Sequence, residues 1–102
     1  MRLLNWLAQL FGRTDDGLTI DASVDPDEFG RLLARALLDP RASQIVAPLF
    51  KANRRRVTPR EVAWLRYLLG EVPHDEVVNS SPKSEGRVFY RQVQIVERAL
   101  KP

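Results

Sequence analysis

The side chains best suited to bind a ligand form a cationic row near the end of the chain. They recur at intervals of four, three, four and three residues, at Arg87, Arg91, Gln94, Arg98 and Lys101. This spacing places their side chains along one side of a helix, over about 20 Å at 1.5 Å per residue. Arginine and glutamine can hydrogen-bond phosphate oxygens and base edges in the major groove. The row predicts a nucleic-acid surface; the alternative is an ordinary solvated helix face.

A second group of cations, Arg54, Arg55 and Arg56, precedes a predicted helix start. As a phosphate clamp, this cluster would release about one counterion per contact, and the alternative is a solvated linker. Residues 1–50 carry five Arg against seven Asp and Glu, which gives −2; residues 51–102 carry eleven Lys and Arg against six acids, which gives +5. A basic half joined to an acidic half is one feature of nucleic-acid-binding proteins.

Several kinds of site are excluded or disfavoured by composition. The chain has no cysteine, which excludes disulfides and thiolate metal sites, and its one histidine, His74, is expected to be a surface cap. The paired acids lie at helix starts or in loops, where capping explains most of them. No nucleophile–base pair or glycine-rich phosphate loop is present. We therefore expect no enzymatic activity, no cofactor and no metal.

Turn chemistry and helical periodicity predict an all-α fold. One helix begins at the cap Asp25-Pro26-Asp27-Glu28 and ends before Asp39-Pro40. A weaker helix follows through Ile45 to Phe50, in which Pro48 either introduces a kink or marks the first turn. Leu18-Thr19-Ile20 could add a short extended piece, but no partner strand is evident.

Three more helices are predicted in the remainder of the chain. The first begins at the capping box Thr58-Pro59-Arg60-Glu61, carries Trp64 at its packing face and closes at Gly70. Arg60 opposes the helix dipole there, which indicates a use beyond stability. The second helix restarts at Pro73. After a polar turn the third runs to about Lys101, with an inward face of Phe89, Val93, Val96 and Leu100.

The order of these residues supports a family resemblance. The matching positions are Val57-Thr58-Pro59-Arg60-Glu61, Leu65-Arg66-Tyr67-Leu68, Val72, Glu76-Val77, Ser84-Glu85, Val88 and Ile95. Residues 57–101 thus resemble the helix-turn-helix domain of LuxR/GerE-type response regulators and the related sigma-factor domain that reads the promoter −35 element. The resemblance implies that the third helix enters the major groove, with Lys83, Arg87, Tyr90 and Arg91 near DNA.

Three positions depart from the family pattern. The family has apolar residues where Ser81 and Lys83 stand, and a small residue where Val78 stands. These changes predict a turn that is less well anchored in the core, with an altered angle between the second and third helices.

An apolar segment stands at the N-terminus of the chain. Its large apolar side chains are Leu3, Leu4, Trp6, Leu7, Leu10 and Phe11, and Gly12 ends the segment. The candidate docking residues are Leu3, Trp6, Leu7, Leu10 and Phe11. It is too short to span a bilayer, and its polar side lacks the cations typical of helices that lie on membranes. We expect it to pack within the protein or to dock on a partner, including a second copy in a homodimer.

These observations lead to one leading hypothesis. The chain is expected to be a cytoplasmic all-α helical bundle that binds double-stranded DNA as a bacterial or phage transcriptional regulator. Residues 1–53 would form an oligomerisation or partner-docking part, and 54–102 the helix-turn-helix module. The DNA contacts would be Lys83, Ser84, Arg87, Tyr90, Arg91, Gln94, Arg98 and the Arg54–Arg56 cluster. The alternative is an adaptor on the same scaffold, for example one that binds host transcription machinery, with Trp64 and the N-terminal helix as its surface.

Overall fold

The computed structural model describes residues 17–101. In chain order its elements are β1 Thr19–Ile20, α1 Pro26–Leu38, α2 Ser43–Lys51, β2 Arg56–Val57, α3 Pro59–Leu68, α4 His74–Asn79 and α5 Gly86–Leu100. A 3-10 turn over Lys83–Glu85 leads into α5. The protein is mostly helical, at 66% helix, which confirms the predicted class in its coarse form.

The two strands form a small parallel sheet beside the helices, and β1 lies in the short extended piece that the sequence allowed at Leu18-Thr19-Ile20. Thr19 lies opposite Arg56, and Ile20 lies opposite Val57. The Thr19 N–H donates to the Arg55 carbonyl at 2.9 Å, and the Asp21 N–H donates to the Val57 carbonyl at 2.9 Å. The extended piece therefore finds its partner in the basic segment between α2 and α3. Because the two strands are far apart in sequence, they are not joined by a short turn whose residues could have predicted the pairing.

The predicted helix starts are confirmed by their capping bonds. At α1, Asp25 Oδ1 accepts a hydrogen bond from the Asp27 N–H at 3.0 Å, with Pro26 at the first helical position. At α3, Glu61 Oε1 accepts the Thr58 N–H at 2.8 Å and also the Thr58 hydroxyl. Each cap satisfies donors that the first turn of a helix leaves without intrahelical partners.

The start of α2 depends on Asp39 rather than on proline. Pro48 lies in the interior of α2, so the idea that it marks the first turn is wrong. Instead Asp39 Oδ1 accepts the backbone N–H groups of Arg41 at 2.8 Å and Ala42 at 3.0 Å, immediately before the helix. These two bonds, with that from Ala42 the stronger influence, hold the pKa of Asp39 below its ordinary value of 3.8.

The lowered pKa of Asp39 predicts how its contribution to stability depends on pH. The ionised carboxylate favours the folded state, so its contribution is present above the ordinary pKa and lost as the pH falls through the lower folded-state pKa. We expect Asp39→Ala to unfold at a lower temperature than the wild type near neutral pH, and the difference to vanish in strong acid. Thermal melts followed by circular dichroism across this range measure it. Asp39→Asn keeps an acceptor but cannot ionise, so the difference in melting temperature between Asp39→Asn and Asp39→Ala should not change with pH. A deficit in Asp39→Ala that is constant with pH would contradict the assignment.

One hydrophobic core joins all the helices. Its fully buried side chains include Phe29 and Leu33 of α1, several residues of α2, Trp64 and Leu65 of α3, Val77 of α4 and Val96 of α5. In this core α4 packs chiefly on α3, while α5 packs chiefly on α2. Both sides of the predicted boundary after residue 53 thus contribute to the same core. The boundary and the helix-turn-helix arrangement of α3 to α5 stay predictions.

Candidate nucleic-acid interface

The cationic row lies on the outward side of α5. Arg87, Arg91, Gln94, Arg98 and Lys101 are all exposed. On the inward side Gln92 and Val96 are buried, and the other apolar residues predicted to face inward, Phe89, Val93 and Leu100, are half-buried. The amphipathic division read from the sequence is therefore present in the fold.

A buried glutamine determines the rotation of α5 about its axis. Gln92 Nε2 donates to Glu61 Oε2 at 2.8 Å and to the Leu49 carbonyl at 3.0 Å, and Gln92 Oε1 accepts from Trp64 Nε1 at 3.0 Å. Because an indole N–H can only donate and a carboxylate can only accept, the amide is restricted to one orientation. These bonds connect α5 to α2 and α3, and they hold the row of cations on the side that faces solvent.

Gln92 was not among the residues predicted from the sequence, because the cationic row contains the other amide of α5, Gln94. A signal was nevertheless present: Gln92 lies three residues after Phe89 and four before Val96, within the apolar side of the helix. A polar residue at such a position is buried, and a buried amide needs partners. The partners, on α2 and α3, could not be identified from local spacing.

Arg60 is buried, although its placement against the helix dipole indicated a use beyond stability. Its side chain has no exposed surface, and its Nε donates to Glu61 Oε2 at 3.0 Å. Its Nη1 lies 2.9 Å from Glu85 Oε1, but the two groups are not aligned as a hydrogen bond. Within residues 17–101, Nη1 and Nη2 of Arg60 have no hydrogen-bond partner, so beyond the Nε bond the two carboxylates compensate the buried guanidinium only through their charge. Arg60 is therefore held inside the fold and is not exposed to a ligand.

Glu85 anchors the polar turn between α4 and α5. In addition to Arg60, it pairs with Arg56, whose Nη1 lies 3.6 Å from Glu85 Oε2. Ion pairs thus attach the 3-10 turn to β2 and α3. The family pattern has apolar residues between α4 and α5, at the positions of Ser81 and Lys83. Val78, the third departure, remains 43% exposed. The turn lacks apolar anchors but is attached by charge.

The Arg54–Arg56 cluster does not act as one unit. Arg56 is engaged within the protein, since its Nε and Nη2 donate to the Asp21 carboxylate at 3.1 and 3.3 Å. The hydrogen bond to Asp21, more than its charge, raises the pKa of Arg56. Arg55 is half-buried, whereas Arg54 is exposed. Of the three, Arg54 is the residue best placed to meet a ligand.

Arg54 occupies a backbone position that favours glycine. Its φ is 55° and that of Arg55 is 62°, both in the left-handed region. The Arg55 N–H donates to the Phe50 carbonyl at 2.8 Å and the Arg54 N–H to the Lys51 carbonyl at 3.1 Å, which is the Schellman pattern of a helix end. The same pattern ends α3, where Gly70, as predicted, takes the left-handed position with a φ of 78°.

Glycine at position 54 is expected to stabilise the fold. Arg54→Gly relieves the left-handed strain and should raise the free energy of unfolding by up to about 1 kcal/mol, even though a cation is removed. Arg54→Ala is the matched control, since it removes the same side chain without relieving the backbone. Denaturant titration of both variants measures the effect. If Arg54→Gly were no more stable than Arg54→Ala, the strain would be absent.

The remaining predicted contacts lie at the N-terminal end of α5. Lys83 and Ser84 in the 3-10 turn are exposed, and Tyr90 on α5 is 64% exposed. A cleft of about 530 Å³ has Arg54 and Val88 in its lining. The loop bearing Arg54 therefore borders the first turn of α5, and the fold brings two separate parts of the predicted surface together.

The remaining predictions concern the N-terminal segment, metal and membrane binding, and His74. The N-terminal segment with Leu3, Trp6, Leu7, Leu10 and Phe11 lies outside the described residues. Within residues 17–101, no acidic or histidine cluster could hold a metal ion, and no helix is long and apolar enough to cross a membrane. His74 begins α4 as an exposed residue, with its ring centroid 5.7 Å from that of Trp64.

Comparisons with models of known protein families, with curated proteins and with solved structures find no match to this chain.

Proposed function

We propose that this protein binds duplex DNA through the outward side of α5. The observation that carries the proposal is a contrast among its arginines. Arg35, Arg56, Arg60 and Arg66 pair with carboxylates of the fold. In the described part of the chain, Arg31, Arg41, Arg54, Arg87, Arg91 and Arg98 take part in none of these ion pairs. Of these, Arg87, Arg91 and Arg98 stand in one exposed row on a single helix. Unpaired cations in a row are suited to the regularly spaced phosphates of a duplex.

The dimensions of α5 support this proposal. The helix has 15 residues and is therefore about 22 Å long. The major groove, about 12 Å wide, admits one helix of this kind. Arg91 and Gln94, near the middle of the helix, would face base edges, while Lys83, Ser84 and Arg54 at its N-terminal end would contact phosphates. A regulatory role in transcription is the extension of this proposal that the LuxR/GerE resemblance suggests.

Removing two cations from the row is the direct test. For Arg87→Ala/Arg91→Ala we expect weaker binding to random duplex DNA, with the slope of log affinity against log salt reduced by about two. Each lost phosphate contact removes about one released counterion. Fluorescence anisotropy with a labelled duplex, titrated at several salt concentrations, measures both quantities.

Arg31→Ala/Arg41→Ala is the matched control, because it removes the same charge from two exposed arginines outside α5. This control should keep the wild-type slope. Equal losses in both double variants would indicate attraction by net charge alone and would reject α5 as the interface. No binding by the wild type at low salt would overturn the proposal and favour the adaptor alternative, in which the row meets an acidic protein.

A further inference from the structure

An apolar groove runs beside the C-terminal half of α5. Within residues 17–101 its main lining residues are Trp64 and Tyr67 of α3, His74 of α4, and Val93, Val96 and Leu100 of α5. Its volume is about 410 Å³. Glu97 and Lys101, the last residue of the cationic row, also line the groove, whereas Arg87, Arg91, Gln94 and Arg98 are not among its lining residues. Trp64 and Val96 form a buried floor, while Tyr67, Val93 and Leu100 are half-buried at the walls.

The groove walls are held in place by the core. The ring centroids of Trp64, Tyr67 and His74 lie 5.7 Å from one another in edge-to-face arrangements. Trp64 is also fixed by its hydrogen bond to Gln92 at 3.0 Å. An apolar occupant would thus meet a formed surface and would not have to order it, which reduces the entropic cost of docking.

The chain itself contains a segment of matching chemistry. The side chains of Leu3, Trp6, Leu7, Leu10 and Phe11 fall on one side of a helix, because their spacing follows the three-and-four pattern, and Asn5 and Gln9 fall on the other. A helix with such a face must bury it against another apolar surface.

The connection is long enough for the segment to reach the groove of the same molecule. Five residues lie between Phe11 and Gly17, the first described residue, and the six Cα–Cα steps that join the two can span about 20 Å. Thr19, two residues further on, lines a cleft with Val88 in the first turn of α5. The distance along the helix axis from Val88 to Val96, which lines the groove, is about 12 Å. A tethered segment also has an effective concentration in the millimolar range, which favours it over a second copy.

We propose that residues 3–11 dock as an amphipathic helix in the groove between α3 and α5 of the same chain. The inference is independent of DNA binding. The occupied groove would complete the burial of Tyr67, Val93 and Leu100 and leave Arg87, Arg91, Gln94 and Arg98 of the cationic row free.

Paramagnetic relaxation tests this docking in the full chain, whose lack of cysteine allows a single labelling site. A nitroxide on Asn5→Cys, on the polar side of the segment, should remove most of the methyl signal intensity of Val93, Val96 and Leu100. In a mixture of spin-labelled, isotopically unlabelled chain with isotopically labelled wild type, those signals should keep their full intensity, because the contact is within one molecule.

Two further variants make the outcome specific. Leu7→Asp on the apolar side, added to the labelled chain, should restore the groove signals, whereas Gln9→Asp on the polar side should not. Broadening in the mixed sample would assign the groove to the segment of a second copy and overturn the proposal. Groove signals of full intensity in the labelled chain would overturn it as well, by placing the segment elsewhere.

Discussion

Replacing Arg60 by alanine is expected to lower the free energy of unfolding by about 3 to 5 kcal/mol, a large part of the stability of a small domain. The reason is the charge left behind. Glu61 has no exposed surface, and without the Arg60 guanidinium its carboxylate would remain ionised in the core or would have to bind a proton. The neighbouring Glu85 would lose its buried partner at the same time.

Arg66→Ala is the matched control for this prediction. Arg66 lies on the same helix and also pairs with a carboxylate, since its Nη2 is 2.6 Å from Glu28 Oε1. Its side chain is 34% exposed, so the loss should be below about 1 kcal/mol. Urea denaturation followed by far-ultraviolet circular dichroism measures both variants. Similar losses from the two substitutions would show that the Arg60 pair is not desolvated.

Gln92→Leu is expected to lower the free energy of unfolding by about 3 kcal/mol, although it places an apolar residue of similar size in the core. The substitution leaves Trp64 Nε1 and the Leu49 carbonyl without the partners they have at 3.0 Å, and it removes a donor from Glu61. Each buried group that loses its hydrogen bond costs about 1 to 3 kcal/mol. Chemical denaturation monitored by tryptophan fluorescence measures the loss.

Gln94→Leu provides the control, two residues further along the same helix. Gln94 is exposed, so its replacement should change stability by less than about 0.5 kcal/mol. For the affinity for duplex DNA we expect the reverse: Gln94→Leu should weaken binding more than Gln92→Leu, since Gln94 belongs to the proposed interface and Gln92 only orients it. A Gln92→Leu variant as stable as Gln94→Leu would show that the buried network does not hold α5.

Together these predictions link stability to the proposed surface. Arg60, Glu61 and Gln92 form one buried hydrogen-bond network, which joins α2, α3 and α5. Since a partly satisfied buried network is costly, its members restrict α5 to a single rotation. The outward direction of Arg87, Arg91 and Arg98 follows from that restriction.

Local physical chemistry in the sequence was sufficient for the helices. The caps at Asp25 and Thr58 and the stop at Gly70 depend on hydrogen bonds within a few residues, and such bonds can be read from adjacent letters. The amphipathic division of α5 follows equally from spacing. The sequence therefore determined a mostly helical protein with an exposed cationic helix near its end.

Tertiary structure alone decided which cations are available. Arg60 and Arg54 both lie near the predicted start of α3, yet Arg60 is enclosed by Glu61 and Glu85 and Arg54 is exposed in a left-handed turn. The pairing of Thr19 with Arg56 and the burial of Gln92 also join residues far apart in the chain. Such contacts are selected by the packing of whole elements, because the free energy of burying a charge or an amide depends on partners that no local pattern specifies.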